Sequence, residues 1–312
     1  MKRSSLQTRG FTFGKEISNL SKGMVWARPD VQFFGRFKSG KVNGHFWLGL
    51  LNNGYIHGVT DEHGLASGNE IAYIYPDGET ALRGHFENKY MKKAKHVDVL
   101  KYGCDENGMP IAMEYTEPLS NEEFYYDPCT NESFGGGSLY VRDPYESKNV
   151  QVKQSLIPNS GEGVFLTRDV PKGKPACYYS LYLYNSNGQL QSFEKQHLYN
   201  ESKSDNYRRE CLKYAVDITF FEGRIALPPE EDIDPLPNIG PKVNHHFLEN
   251  NAHYIEVEHP RWGLIQSVMP QSDLTSGQEL FTFYGYEKFP FPKDYPWYWE
   301  AKNSIGESNE TR

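Results

Sequence analysis

The sequence predicts a mainly β fold in two parts, and three observations carry that prediction. Its 28 Gly and 19 Pro punctuate 312 residues at short intervals, which leaves room for many short strands and few long helices. The apolar fraction is a low 38% while aromatics reach 14%, so a core must be built from rings rather than from Leu and Ile. Asn53-Gly54 and Asp77-Gly78 are each flanked by alternating aromatic and aliphatic residues, the strongest short-range signal for a hairpin. The length suits two ordinary domains.

Residues 1–30 form a separate N-terminal segment; its start, "MKRSSLQTRGFTFG", has no apolar h-region, so no signal peptide is expected. Residues 31–135 read as a repeat-type sheet. Gly44 and Gly68 are 24 positions apart, as are the two turn pairs, with the strand-like pieces "HFWLGLLNNG" and "IAYIYPDG" between them. Stacked hairpins of that period bury each unit on the next. Lys89 to Val97, "KYMKKAKHV", reads as an exposed strand edge and is a poor import signal. Glu114 to Asp127 is acidic and aromatic, and the loop-like "TNESFGGGS" sets the domain boundary near 135. Residues 136–290 continue as strands separated by Gly and Pro turns, interrupted by a polar stretch from Ser192 to Arg209 and an acidic insert, "PPEEDIDP", at 228–235. An aromatic tail, including "YPWYWEAKN", lies in residues 291–312.

The totals also narrow the function. A formal charge of −8 argues against direct nucleic-acid binding and leaves room for a basic partner such as a Lys-rich peptide. Cys104, Cys129, Cys177 and Cys211 make no C-x-x-C pair, so they read as isolated reduced thiols of the cytosol or nucleus. No run of 18 apolar residues exists, so no membrane span is expected.

Four stretches carry chemistry. In "NSGEGVF", Asn159 to Phe165, two glycines around Glu162 expose backbone groups and permit positive φ, as a close approach to a small ligand requires. For G-x-G alone a strand-to-strand turn is the favoured explanation, and P-loop spacing is absent. In "KVNHHF", Asn244 and His245 could serve a metal, a base role or a buried hydrogen-bond network; the absence of a second ligand group favours the last. In "AHYIEVEHPRWG", "HPRWG" is a tight turn between two strands, and Tyr254 by itself reads as a surface or edge residue. In "ELFTFYGYE", Tyr284 and Tyr286 flank Gly285 on one strand face, and buried phenols need polar partners.

In this order, GEG, then Asn-His, then a strand Tyr before "HPRWG", then "ELFTFYGY", the segments resemble the SET domain of protein lysine methyltransferases. The likeness is greatest to the branch with N-terminal MORN repeats, whose last repeats "GNEIAYIYPDGETALRGHF" resembles, and it spans about residues 31–300. The resemblance implies an N-terminal MORN-type antiparallel sheet followed by a β-rich, pseudoknotted SET domain with a C-terminal aromatic segment. It implies S-adenosyl-L-methionine as cofactor, held by Ser160, Gly161, Glu162, Asn244 and His245, with Trp297 covering the adenine. Tyr284 matches the family's active-site tyrosine, and Tyr179, Tyr254 and Tyr286 match those lining its lysine channel. The implied reaction is methyl transfer to lysines of histone tails or other proteins. A free lysine amine, with a pKa of about 10.4, must enter neutral, and a dry aromatic channel lowers that pKa. Crowding by the Tyr179 and Tyr254 hydroxyls implies monomethylation. A nuclear monomer is expected, with possible cytoplasmic presence resting on the same likeness. The alternative from another class is a MORN-sheet binding scaffold whose SET domain is weakly active or inactive. His246 departs from the family, which usually has Ser there, and the 228–235 insert replaces a segment that shapes the substrate groove.

Overall fold

The computed structural model describes residues 21–28, 31–39, 41–50, 52–104, 110–126, 141–179, 193–194, 216–217, 224–226, 238–246 and 249–283. The fold is mainly β, with a curled N-terminal antiparallel sheet followed by smaller β units. Eight strands run as one meander: β1 (Ser21–Arg28), β2 (Val31–Lys38), β3 (Lys41–Gly49), β4 (Tyr55–Val59), β5 (Gly68–Ile74), β6 (Thr80–Glu87), β7 (Tyr90–Cys104) and β8 (Pro110–Tyr115).

The 24-residue spacing corresponds to two consecutive hairpins. Asn53 N donates to Leu50 O at 3.0 Å between β3 and β4, and Gly78 N donates to Tyr75 O at 2.9 Å between β5 and β6, so a bond spanning three residues closes each turn, one position later in the second. Short acceptors finish the turns: Asn52 Oδ1 takes Gly54 N at 2.8 Å, and Asp77 Oδ1 takes Thr80 N at 2.9 Å. Gly44 and Gly68 hold equivalent places with φ of +93° and +147°, which a side chain would strain. The stretch Lys89–Val97 is not an edge. It lies in β7, paired with β6 along its length and bridged through Ala94 to Phe124, and Met91 and Ala94 are buried. Its Lys92, Lys93 and Lys95 lie between the buried Met91, Ala94 and Val97, a placement that a charge count alone does not reveal.

The second part holds a short helix, α1 (Pro144–Asn149), and strands β9 (Val150–Gln154), β10 (Glu162–Leu166) and β11 (Cys177–Tyr179). The small strands β12 (Phe193–Glu194), β13 (Val216–Asp217) and β14 (Arg224–Ala226) follow. A 3-10 turn (Gly240–Lys242) leads into β15 (Asn244–His245), β16 (Ala252–His259), β17 (Gly263–Pro270) and β18 (Phe281–Thr282). The sheet β11-β17-β16 is the centre of this part. Period 2 gives it two different faces. Tyr178, Val257 and Ile265 look one way, into a core shared with Phe46, Ile56, Ile71, Tyr73, Tyr75, Leu82 and Phe86 of the large sheet. Cys177, Val268 and Tyr254 look the other way, against Val150, Val164, Leu166, Val243 and Leu280.

The "HPRWG" turn joins β16 to β17 as expected, but its side chains are internal. His259, Arg261 and Trp262 are all buried, and Pro260 O accepts a hydrogen bond from Met91 N at 3.2 Å. Arg261 stacks over Trp262 and Phe124, donates to Val141 O at 2.6 Å, and lies 3.7 Å from Asp143. Phe124 thus pins the acidic 114–127 stretch to the core.

Candidate active site

Ser160, Gly161 and Glu162 occupy the connection between β9 and β10. Asn159 and Gly161 take φ of 63° and 76°, reversing the chain, and Ser155 N donates to Gly161 O at 2.9 Å to close the loop. Ser160 Oγ donates to Ile157 O at 2.9 Å. Nothing lies within 4 Å of where a Cβ on Gly161 would stand, so the loop is open on that side. The Glu162 carboxylate is exposed and pairs with Lys242 Nζ at 2.5 Å.

Asn244 and His245 are brought against this loop by a parallel pairing, Asn244 with Phe281 and His245 with Thr282. Asn244 Nδ2 donates to Glu162 O at 2.8 Å, tying the second predicted motif to the first. His245 Nδ1 lies 3.1 Å from Thr282 O, a carbonyl that can only accept, so this nitrogen carries the ring proton. Burial, helped by nearby His246, lowers the His245 pKa to about 4, so the ring is neutral at pH 7. The His246 ring accepts from Glu249 N at 2.8 Å and packs 5.2 Å from Phe281.

Tyr179 and Tyr254 meet. They share one face of the β11-β17-β16 sheet, with ring centroids 5.4 Å apart and ring planes at 82°. Tyr254 lies on β16, an edge strand of this sheet as one of the two expected placements has it, and it is half-buried because its face looks onto the second core cluster. Thr282 Oγ1 donates to its hydroxyl at 3.2 Å. This bond joins the tyrosine pair to β18, the strand paired with His245, at a residue two positions before Tyr284 in the chain. Tyr284, Tyr286 and Trp297 lie outside the described residues.

Sequence reading missed the residue that ties the glycine loop to Asn244. Glu279 is 2% exposed; its Oε1 accepts from Ser155 Oγ at 2.7 Å and from Asn244 Nδ2 at 3.3 Å, and its Oε2 accepts from Leu156 N at 2.7 Å. The available signal was a lone charged residue heading the alternating "ELFTFYGYE", a position that a solvated strand end would fill equally well. Glu146 of α1 was missed too. It is buried, accepts from Tyr178 N at 2.5 Å, and sits behind the tyrosine sheet. Among the described residues, no group of His, Cys, Asp and Glu could hold a metal ion.

Residues 37–107 match a family model described as histone H3 K4-specific methyltransferase SET7 N-terminal. Over 261 residues the chain is 30% identical to the histone-lysine N-methyltransferase SETD7 of Halocynthia roretzi, an alignment covering 83% of this chain and 62% of that relative. The chain therefore spans less than two thirds of that relative's length. Among solved structures, a Plasmodium falciparum chain described as a candidate histone methyltransferase is 15% identical, covering 45% of this chain and 95% of that one at a TM-score of 0.29. A chain of ctPRC2, in an autoinhibited conformation bound to S-adenosylmethionine, is 16% identical over 52% of this chain and 17% of that one, at a TM-score of 0.31. Likenesses at those TM-scores add nothing about fold or chemistry.

Proposed function

We propose that the chain belongs with the SET-domain lysine methyltransferases that carry a MORN-type N-terminal sheet and that it methylates lysine side chains of proteins, a reading supported by the match of residues 37–107 and the 30% identical relative. The donor in this reading is S-adenosyl-L-methionine, the first substrates to try are histone tails, and the product is monomethyl-lysine in the nucleus. The observation that carries the reading is the corner where Tyr179, Tyr254 and Thr282 meet, with Thr282 on β18, the strand that pairs with Asn244 and His245 of β15.

The residues fit such a cofactor. Gly161 leaves open space beside a loop of reversed chain, and the Asn244 amide is fixed next to it. When bound, the cofactor supplies an electrophilic methyl group on a cationic sulfur. What the chain itself supplies is a place for the amine. Two phenol rings edge to face exclude water from a lysine stem, and exclusion of water disfavours the ammonium form. Thr282 holds the Tyr254 hydroxyl in place, and phenolic oxygens of this kind can accept the amine's remaining N–H bonds. A neutral His245 adds no charge that would repel a basic substrate.

The test is a labelled-methyl assay over histone and non-histone proteins, with products read by mass spectrometry. Incorporation into lysine as a single methyl is the expected result. Tyr254→Phe is expected to admit a second methyl, and Tyr284→Phe to lose most transfer while remaining folded. An absence of transfer to any lysine, or trimethyl product from the unmodified protein, would overturn the reading.

A further inference from the structure

We propose that Glu279 is a positioning residue: its buried carboxylate is the joint that holds the loop at 155–162 and the Asn244–His245 strand in one cofactor-ready arrangement. This rests on the functional reading above. Three donors from two segments converge on it: the Ser155 hydroxyl and the Leu156 amide of the loop, and the Asn244 side chain. Ser155 Oγ in turn accepts from Ile157 N at 3.1 Å, so the bond network continues through the loop toward Ser160.

The backbone around it is fixed independently of the carboxylate. Leu280 N donates to Val164 O at 2.8 Å, and Asn251 clamps the strand by donating from Nδ2 to Glu279 O at 2.8 Å while its Oδ1 accepts from Phe281 N at 2.9 Å. The side chain is thus free to act on the loop without being needed to hold β18. Close packing leaves it a single place. A Cβ on Gly163 would overlap Glu279 Oε1, so glycine at that position is what lets the carboxylate pass over β10 to reach Ser155. This gives the second glycine of G-E-G a purpose distinct from that of Gly161. One glycine opens toward solvent; the other clears a path for an anion beneath the loop.

Every partner of the carboxylate is a donor, so an acceptor-only group is required. A Gln there would aim its NH2 at one of those donors and leave it buried and unpaired. The loop would then sample other arrangements, and cofactor binding would have to restore order at a cost in affinity.

The experiment measures S-adenosylmethionine binding by calorimetry, without peptide, for the unmodified chain and for Glu279→Gln, Ser155→Ala and Gly163→Ala, with thermal midpoints recorded alongside. Glu279→Gln and Gly163→Ala are expected to weaken binding about ten-fold or more, and Ser155→Ala to do so to a smaller degree. In turnover assays the KM for the cofactor should rise while the KM for the peptide stays put, a split that a general loss of structure would not give. Should Glu279→Gln not fold, Ser155→Ala and Gly163→Ala carry the decision. Folded variants with unchanged cofactor affinity overturn the inference while leaving the functional reading intact. An unmodified chain that binds no S-adenosylmethionine overturns both.

Discussion

Glu146 is a carboxyl group held where a charge is costly. Burial first, and then the neighbouring Asp143 carboxylate, push its pKa well above the usual carboxylate range. Its Oε1 accepts from Tyr178 N at 2.5 Å, and Asn238 Nδ2 lies 3.5 Å from Oε2. Asp143 has Arg261, the Tyr75 hydroxyl and the first amides of α1 to support a charge; Glu146 has no cation of its own among those contacts. The folded protein therefore keeps this proton after the unfolded chain has released it. Its stabilising contribution is full below pH 4.5, and about 1.4 kcal/mol is lost for each pH unit above that until the folded group titrates. Glu146→Gln keeps the shape without the ionisation. It is expected to raise the urea midpoint at pH 8 relative to the unmodified protein and to match it near pH 4.5; a lower midpoint at pH 8 would refute the buried-proton account. His57 and His245 act in the opposite sense. Burial is the leading cause that lowers each to about 4, so both are neutral in the fold and protonated when unfolded below pH 6.5. Stability is expected to fall on acidification from pH 6.5 toward 4, and replacing His57 by Gln should flatten that slope in denaturant titrations.

At the scale of elements, the β16–β17 hairpin is the part that connects the two halves. Its tip places His259 among Tyr73, Tyr75 and Tyr178, with ring centroids 4.7, 5.8 and 5.1 Å away, and Trp262 is 1% exposed. A short turn in sequence is thereby a plug for the inner face of the large sheet. Trp262→Ala is expected to cost about 3–5 kcal/mol, read as a fall in the denaturant midpoint. A change below about 1 kcal/mol would mean that the indole is not closely packed. Helix α1 meets the same place from the other side. Asp143 caps it by accepting from Tyr145 N at 3.0 Å, and the same carboxylate takes the Tyr75 hydroxyl at 2.6 Å. One side chain therefore starts a helix and fastens the sheet, and Tyr75→Phe would leave a buried acceptor one donor short.

For the whole molecule, the consequence is a core that belongs to neither half alone. Tyr73, Leu82 and Phe86 from the large sheet share a cluster with Tyr145, Tyr178, Trp262 and Ile265. Separating the halves would expose both surfaces to water, and apolar area costs about 25 cal/mol per Å². Calorimetry of the chain is accordingly expected to give one unfolding transition with matching calorimetric and van't Hoff enthalpies. Two resolved transitions would show that the shared cluster contributes little. The same coupling bears on activity. Tyr178 faces the large sheet and Tyr179 faces Tyr254, so one strand, β11, touches both the shared core and the proposed channel.

The sequence by itself determined the β class, the two matching hairpins and the positions of the G-E-G and Asn-His segments, because each depends on local rules. Positive-φ glycines, Asn and Asp turn acceptors and period-2 alternation act within a few residues and can be read from a few letters. Only the tertiary structure decided that Tyr254 is half-buried against Tyr179, that Met91, Ala94 and Val97 within Lys89–Val97 are buried, and that "HPRWG" points inward. It alone placed Glu279 under the loop 124 residues before it in the chain, through its contact with Ser155. Burial of a polar group depends on partners distant in sequence, and a carboxylate carries the same letter whether it meets water or three converging donors.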